Sequence, residues 1–271
     1  MEPDTADLPP SYKDAIQDGT KIVETDSLPP AVLLLEGDSI KCESSSTLLY
    51  QLSRNITSLP RTPPKNSSVV FERVEQNALE KTDATTQPQQ HHHLFYLAHP
   101  ADAQYRTDVP GYYITSVDSS ATIGNMHFET TKSRLQKTEF TALLSAGRTC
   151  AHKPLFDALG KSVTLFNARP AGWMSSRYVW TDGEGRQVAV EDVLGKNDRG
   201  KTRLSITMSM KQEERDALVA LWVLRLWYET AESKQAKKEA MERMTPPTLY
   251  QDLTMVKRTG ALGAIGGAGG C

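Results

Sequence analysis

The sequence predicts a mainly β fold of the α+β class: a closed antiparallel β-barrel around one buried hydrophobic helix near the C-terminal end, with disordered termini. Three observations lead there. Short segments with the two-residue period of half-buried strands recur at short intervals, separated by Gly, Pro, Asn and Asp clusters. No helical pattern intervenes between them, which argues for an antiparallel barrel or sandwich over βαβ units. One late segment is hydrophobic around its whole circumference, and such a helix must be surrounded.

The strand candidates in chain order are AVLLLEG around Leu34, STLLYQLS around Tyr50, SVVFERV around Phe71, HLFYLA around Phe95, GYYITSV around Tyr113, TIGNMHFET around Phe128, EFTALLS around Leu143 and SVTLFNA around Leu165. SRYVWTDGEGRQVAVED reads as a hairpin, with a strand through Tyr178 and Trp180, a turn at Asp182-Gly183-Glu184-Gly185, and a return strand through Val188 and Val190. The plainest alternation is RLSITMSMK. There Leu204, Ile206, Met208 and Met210 form an apolar face, and Arg203, Ser205, Thr207 and Ser209 a wet one. Two stretches interrupt the pattern. Residues 58–68, SLPRTPPKNSS, form a proline loop; residues 77–93, NALEKTDATTQPQQHHH, are polar and without period, so a surface loop or disordered insert is expected.

The helix is predicted from KQEERDALVALWVLRLWYETAESKQAKKEAMERM, which has acidic residues in its first turn and no Pro or Gly before Met244. Between Ala217 and Tyr228 nearly every position is apolar, and Arg225 is the one charge. The apolar part is shorter than the roughly 20 residues a bilayer requires, so it reads as a core helix.

Composition narrows the function classes. The chain has 271 residues, 38% of them hydrophobic, enough for a core but low for a chain folded throughout. The leader carries Asp4, Asp7, Asp14, Asp18, Glu24 and Asp26 against Lys13 and Lys21, and such an acidic, proline-containing segment is expected to stay unfolded. A net charge of −2 gives no global electrostatic case for nucleic acid. The N-terminus lacks the pattern of a secretory signal. Cys42, Cys150 and Cys271 have no metal-ligand spacing, as suits thiols in a reducing compartment. The expected location is cytoplasmic, with peripheral membrane contact as the variant. The chain thus divides into a leader (residues 1–29), a barrel domain (residues 30–232), and a helix extension with a Gly-rich flexible tail (residues 233–271).

The hairpin YVWTDGEGRQVAVED, the strand RLSITMSM and the helix ERDALVALWVLRLWYE resemble the tubby C-terminal-like superfamily, which includes LURP-one-related proteins and phospholipid scramblases. LLLEGDSIKCESSSTLLYQLSRNIT with SSVVFERVE is similar to a fungal branch whose members often carry an N-terminal proline-tyrosine motif and a Gly-rich tail ending in Cys. The resemblance covers roughly residues 31–232. It implies a barrel of about twelve strands around a central helix.

Candidate sites are few. LPPSY fits the PPxY pattern read by WW domains: Pro9 and Pro10 preset polyproline II, Tyr12 supplies a second anchor, and Leu8 matches a common form of the motif. The implied partner is a WW-domain protein, a HECT-type ubiquitin ligase in fungi, with Lys13 and Lys21 close by as acceptors. Tubby-like barrels also include phosphoinositide binders, so Arg169, Arg177, Arg186, Lys196, Arg199, Lys201 and Arg203 are candidate contacts to anionic lipid, at about 1 kcal/mol each near a surface. The interleaved Glu184, Glu191, Asp192 and Asp198 speak for an ordinary solvated face instead. His91-His92-His93 cannot all face one metal ion from an extended segment. Cys150 and His152 lack an oxyanion or nucleophile-elbow motif, so no catalytic residue is assigned. GALGAIGGAGGC follows no strand and opens no helix, so it is no dinucleotide loop and no cofactor is expected. Its Cys271 is a candidate for lipidation outside a CaaX box.

Overall fold

The computed structural model describes residues 27–57, 68–76, 89–100, 110–131, 137–145, 147–152, 155–156, 162–172, 175–193 and 201–232. In chain order the strands are β1 (Ser27–Leu28), β2 (Ala31–Glu36), β3 (Ser39–Cys42), β4 (Leu48–Leu52), β5 (Ser68–Gln76), β6 (Gln89–Ala98) and β7 (Tyr113–Ser116). They continue as β8 (Met126–Thr131), β9 (Glu139–Leu144), β10 (Val163–Pro170), β11 (Tyr178–Asp182), β12 (Gln187–Val193), β13 (Thr202–Ile206) and β14 (Met210–Lys211), followed by helix α1 (Gln212–Ala231). Strands β2 to β13 form a closed twelve-stranded meander, each antiparallel to the next, with β13 returning to pair with β2. β1 and β14 pair beside it as a two-stranded sheet.

The period-two pattern places one face of each strand inside. Leu33 and Leu35 on β2, Phe71 on β5, Phe95 and Leu97 on β6 and Leu204 on β13 are all fully buried. Bulky and small side chains alternate between neighbouring strands: Phe140 opposes Ala168, Ala168 opposes Trp180, Trp180 opposes Ala189, and Ala189 opposes Ile206. This alternation fills a curved wall without closing the lumen. The β11–β12 turn needs its glycines. A Cβ on Gly183 would stand 2.7 Å from the Thr164 carbonyl oxygen, and Gly185 has φ +85°.

α1 occupies the lumen. Glu213 and Glu214 lie in its first turn, and a Glu214 carboxylate oxygen accepts from the Lys211 N–H at 3.3 Å. Every residue from Leu218 to Arg225 is fully buried. An apolar circumference is stable here because strands surround the helix on all sides, each buried Leu or Val contributing about 1.5–3 kcal/mol. No helix among the described residues is long and apolar enough to cross a membrane.

Some expectations need correction. β6 begins at Gln89, so residues 89–93 of the expected insert belong to a strand; there His91, His92 and His93 pair across from Val74, Arg73 and Glu72 of β5. β1 and β3 carry no long alternation and were not anticipated. Met208 lies between β13 and β14, in a break where the chain leaves the barrel wall. β1, at the end of the expected leader, pairs with β14 outside the closed barrel, whose first strand in sequence is β2. Residues 1–26 of the leader, the tail and residues 233–244 of the expected helix lie outside the described residues.

Candidate functional site

The docking pattern at Leu8, Pro9, Pro10 and Tyr12 lies outside the described residues, as do Lys196, Arg199 and Cys271. The other expected basic residues each meet an acid. Arg169 is 3.4 Å from Glu139, Arg177 3.1 Å from Asp192, and Arg186 2.7 Å from Asp182. Lys201 is 2.9 Å from Glu36, and Arg203 lies 3.6 Å from Asp192 and 3.8 Å from Glu43. Among the described residues these contacts are local ion pairs, Arg177 and Arg203 sharing Asp192. Glu36 is held below the ordinary carboxyl value, first by its hydrogen bond from Lys201.

The remaining polar candidates also resolve into local pairs. His91 Nδ1 lies 2.9 Å from Glu72, His92 Nε2 lies 3.3 Å from Glu75, and His93 packs edge-on against Tyr96. Among the described residues no group of three or more His, Cys, Asp or Glu side chains could hold a metal ion. His152 Nδ1 lies 2.9 Å from the Thr149 hydroxyl, and the exposed Cys150 is tied through its backbone N–H to the Ser116 carbonyl.

Charged groups converge at two levels of the lumen. Near the end of α1, Arg225 forms a two-point ion pair with Glu191 of β12, one arm at 2.7 Å, and both side chains are 0% exposed. Arg225 also meets Glu229 at 3.0 Å and sits over the Tyr178 ring, 4.1 Å from its centroid. The sequence places Glu191 among acids of a solvated face; the structure turns it inward. Burial pushes its carboxyl up to about 7, against the downward pull of Arg225. Aromatic side chains line this end of the helix. His99 stacks on Tyr112 with centroids 4.0 Å apart, Tyr112 meets Tyr228 edge-on, and the Arg54 guanidinium lies 4.9 Å from the Trp227 centroid.

At the start of α1, the buried Asp216 carboxylate accepts from Tyr50 of β4 at 2.8 Å, from Arg73 of β5 at 2.6 Å and from Gln212 at 2.6 Å. Burial raises this carboxyl and, more strongly, the Tyr50 phenol. Arg215 donates to the Pro29 carbonyl just before β2, while its Nε has no hydrogen-bond partner. Cys42 ends β3 in the barrel wall. It opposes Leu33 on β2, which is fully buried, and opposed residues of an antiparallel pair point to one face. Its Sγ lies 3.2 Å from the Ser44 hydroxyl.

Neither interior cluster is visible as a motif, because its members come from strands far apart in sequence. One signal was available: a lone Arg in a helix with no wet face requires an acid from the wall. Comparison with protein-family models, with curated proteins and with solved structures finds no match in any of the three.

Proposed function

We propose that this is a non-enzymatic interaction protein, a tubby-like, helix-filled barrel recruited through Leu8, Pro9, Pro10 and Tyr12 to a WW-domain partner of the HECT ubiquitin-ligase type. The observation that carries the reading is the peptide LPPSY itself. Its paired prolines lower the entropy lost on docking into an aromatic-lined groove, and its tyrosine gives the second anchor. The barrel supports it indirectly. Its lumen is taken up by α1, and the interior acids Asp216 and Glu191 are paired with Arg73 and Arg225. The alternative of an anionic lipid surface has less support, because Arg169, Arg177, Arg186, Lys201 and Arg203 all have acidic neighbours. A pull-down with WW domains of a fungal HECT ligase tests the reading. Wild type is expected to bind and Tyr12→Ala to lose binding; equal retention of both removes the proposal.

A further inference from the structure

We propose that His127 is a pH-sensitive clasp that holds Phe156 on the outer wall of the barrel and releases it in acid, uncovering an aromatic and aliphatic patch formed with Tyr113 and Leu143. Strand register sets the patch. Tyr113 of β7 opposes His127 of β8, and His127 opposes Leu143 of β9, so the three side chains share one face. Their chain neighbours Ile114, Met126, Phe128 and Ala142 are buried in the core, so this face is the outer one. An outward leucine is ordinarily wet, yet Leu143 is only 6% exposed, which marks the patch as covered from outside. Phe156 packs on it edge-on to two rings, with centroids 5.0 Å from Tyr113 and 5.3 Å from His127.

The polar contact of the ring does not oppose protonation. His127 Nδ1 lies 3.2 Å from the Ser145 hydroxyl, and Ser145 is anchored by its backbone N–H on the Asn125 carbonyl at 2.9 Å. A serine hydroxyl can donate to a bare ring nitrogen or accept from a protonated one, so this bond survives the change of charge. The cover does oppose it. An imidazolium has a second N–H and a full charge to keep solvated, and burial holds His127 below its ordinary value of 6.5, against the upward pull of Glu129. The titratable groups on this face are the Tyr113 phenol of β7 and the Glu129 carboxylate two residues along β8, while β9 contributes Leu143 and the Ser145 hydroxyl. The covered ring takes up its proton less readily than an open one, so the clasp is fully held above about 6.5 and weakens as pH falls below that value. The released segment leaves Tyr113, His127 and Leu143 open to water or to another protein. This is independent of the docking peptide.

The test is an NMR titration of the full chain that follows the His127 ring signals and the cross-peak between the Phe156 and Tyr113 rings. The His127 midpoint is expected below about 6.5, and Phe156→Ala should move it up toward that value, because the uncovered ring is solvated in both states. Between about pH 7.5 and about pH 5 the Phe156 to Tyr113 cross-peak should weaken at least about twofold, while the core cross-peak between Phe128 and Phe140 stays constant and excludes global unfolding. His127→Gln, which cannot take up the charge, should keep the Phe156 contact at every pH, and Ser145→Ala should leave the pH response in place. If His127→Gln does not fold, the midpoint in Phe156→Ala decides, since that change trims one side chain on the outer wall. A midpoint at or above about 6.5, a midpoint that Phe156→Ala does not raise, or a Phe156 contact that is constant in the parent or still pH-dependent in His127→Gln overturns the proposal.

Discussion

The two ends of α1 hold their buried charges in opposite arrangements. At the start the helix supplies the acid, Asp216, and the wall supplies Arg73 and Tyr50; nine residues later the helix supplies the base, Arg225, and the wall supplies Glu191. Nine residues are about 13.5 Å along the axis, so the two pairs fix both the direction and the register of the helix. Hydrophobic burial alone would tolerate a slip, because the helix is apolar all round. A slip of one turn leaves a buried carboxylate and a buried guanidinium unmatched. The ends also differ in access. Arg73 is 20% exposed and has Glu75 as a second partner, whereas Glu191 and Arg225 are both sealed.

That difference ranks the substitutions. Arg225→Met leaves Glu191 in the lumen without its counter-charge and should lower the unfolding free energy by about 3–5 kcal/mol in urea titration. Adding Glu191→Leu should restore much of the loss, since an apolar pair removes the unpaired charge. A smaller loss for Arg225→Met than for any change at Asp216 would break the comparison. Asp216→Asn should cost less, about 1–3 kcal/mol, because Arg73 can turn to water and Glu75 while Tyr50 and Gln212 keep an amide partner. Tyr50→Phe, which removes one donor and orphans nothing, should cost about 1 kcal/mol by the same titration.

The wall of this barrel was legible from residue pattern and the lumen chemistry was not. Alternation around Leu34, Phe71, Phe95 and Leu204 reports which face is wet, a local property of each strand. The circumference of α1 is equally local. Glu191 was misplaced because QVAVEDV is read as ordinary alternation with an acid at its wet end, whereas Val188, Ala189, Val190 and Glu191 are in fact all buried in succession. The polar groups that satisfy Asp216 come from positions 50 and 73, and no spacing rule connects them to it. β6 shows the converse: the histidines look like loop filler until β5 supplies Glu72 and Glu75 opposite them.

The pH response separates the sealed pair further. Burial raises the folded-state carboxyl of Glu191 from 4.5 to about 7, so the folded protein holds a proton that the unfolded chain releases. The contribution is complete below about 4.5 and is lost as pH rises through about 7, with a slope of at most about 1.4 kcal/mol per pH unit. Glu191→Gln should remove this part of the slope. Asp216 is raised too, so it adds a decline of the same sign that Glu191→Gln leaves in place. A pH profile unchanged by Glu191→Gln would show that the pair stays fully ionised in the folded state.

The smallest effect belongs to the outer wall and carries the opposite sign. Glu36 lies 2.9 Å from Lys201 and 3.4 Å from Lys41, and it keeps about a third of its side-chain surface in water. Lys201 holds its carboxyl below 4.5, so its contribution is present above that pH and is lost as pH falls below it. An exposed pair of this kind is screened by solvent and by salt, and Glu36→Gln should cost less than about 1 kcal/mol, fading at high ionic strength. Measured beside Glu191→Gln in the same titration, it distinguishes a carboxyl taken out of water from one that stays in it. Both are paired with a cation, so only burial can make their pH slopes run in opposite directions.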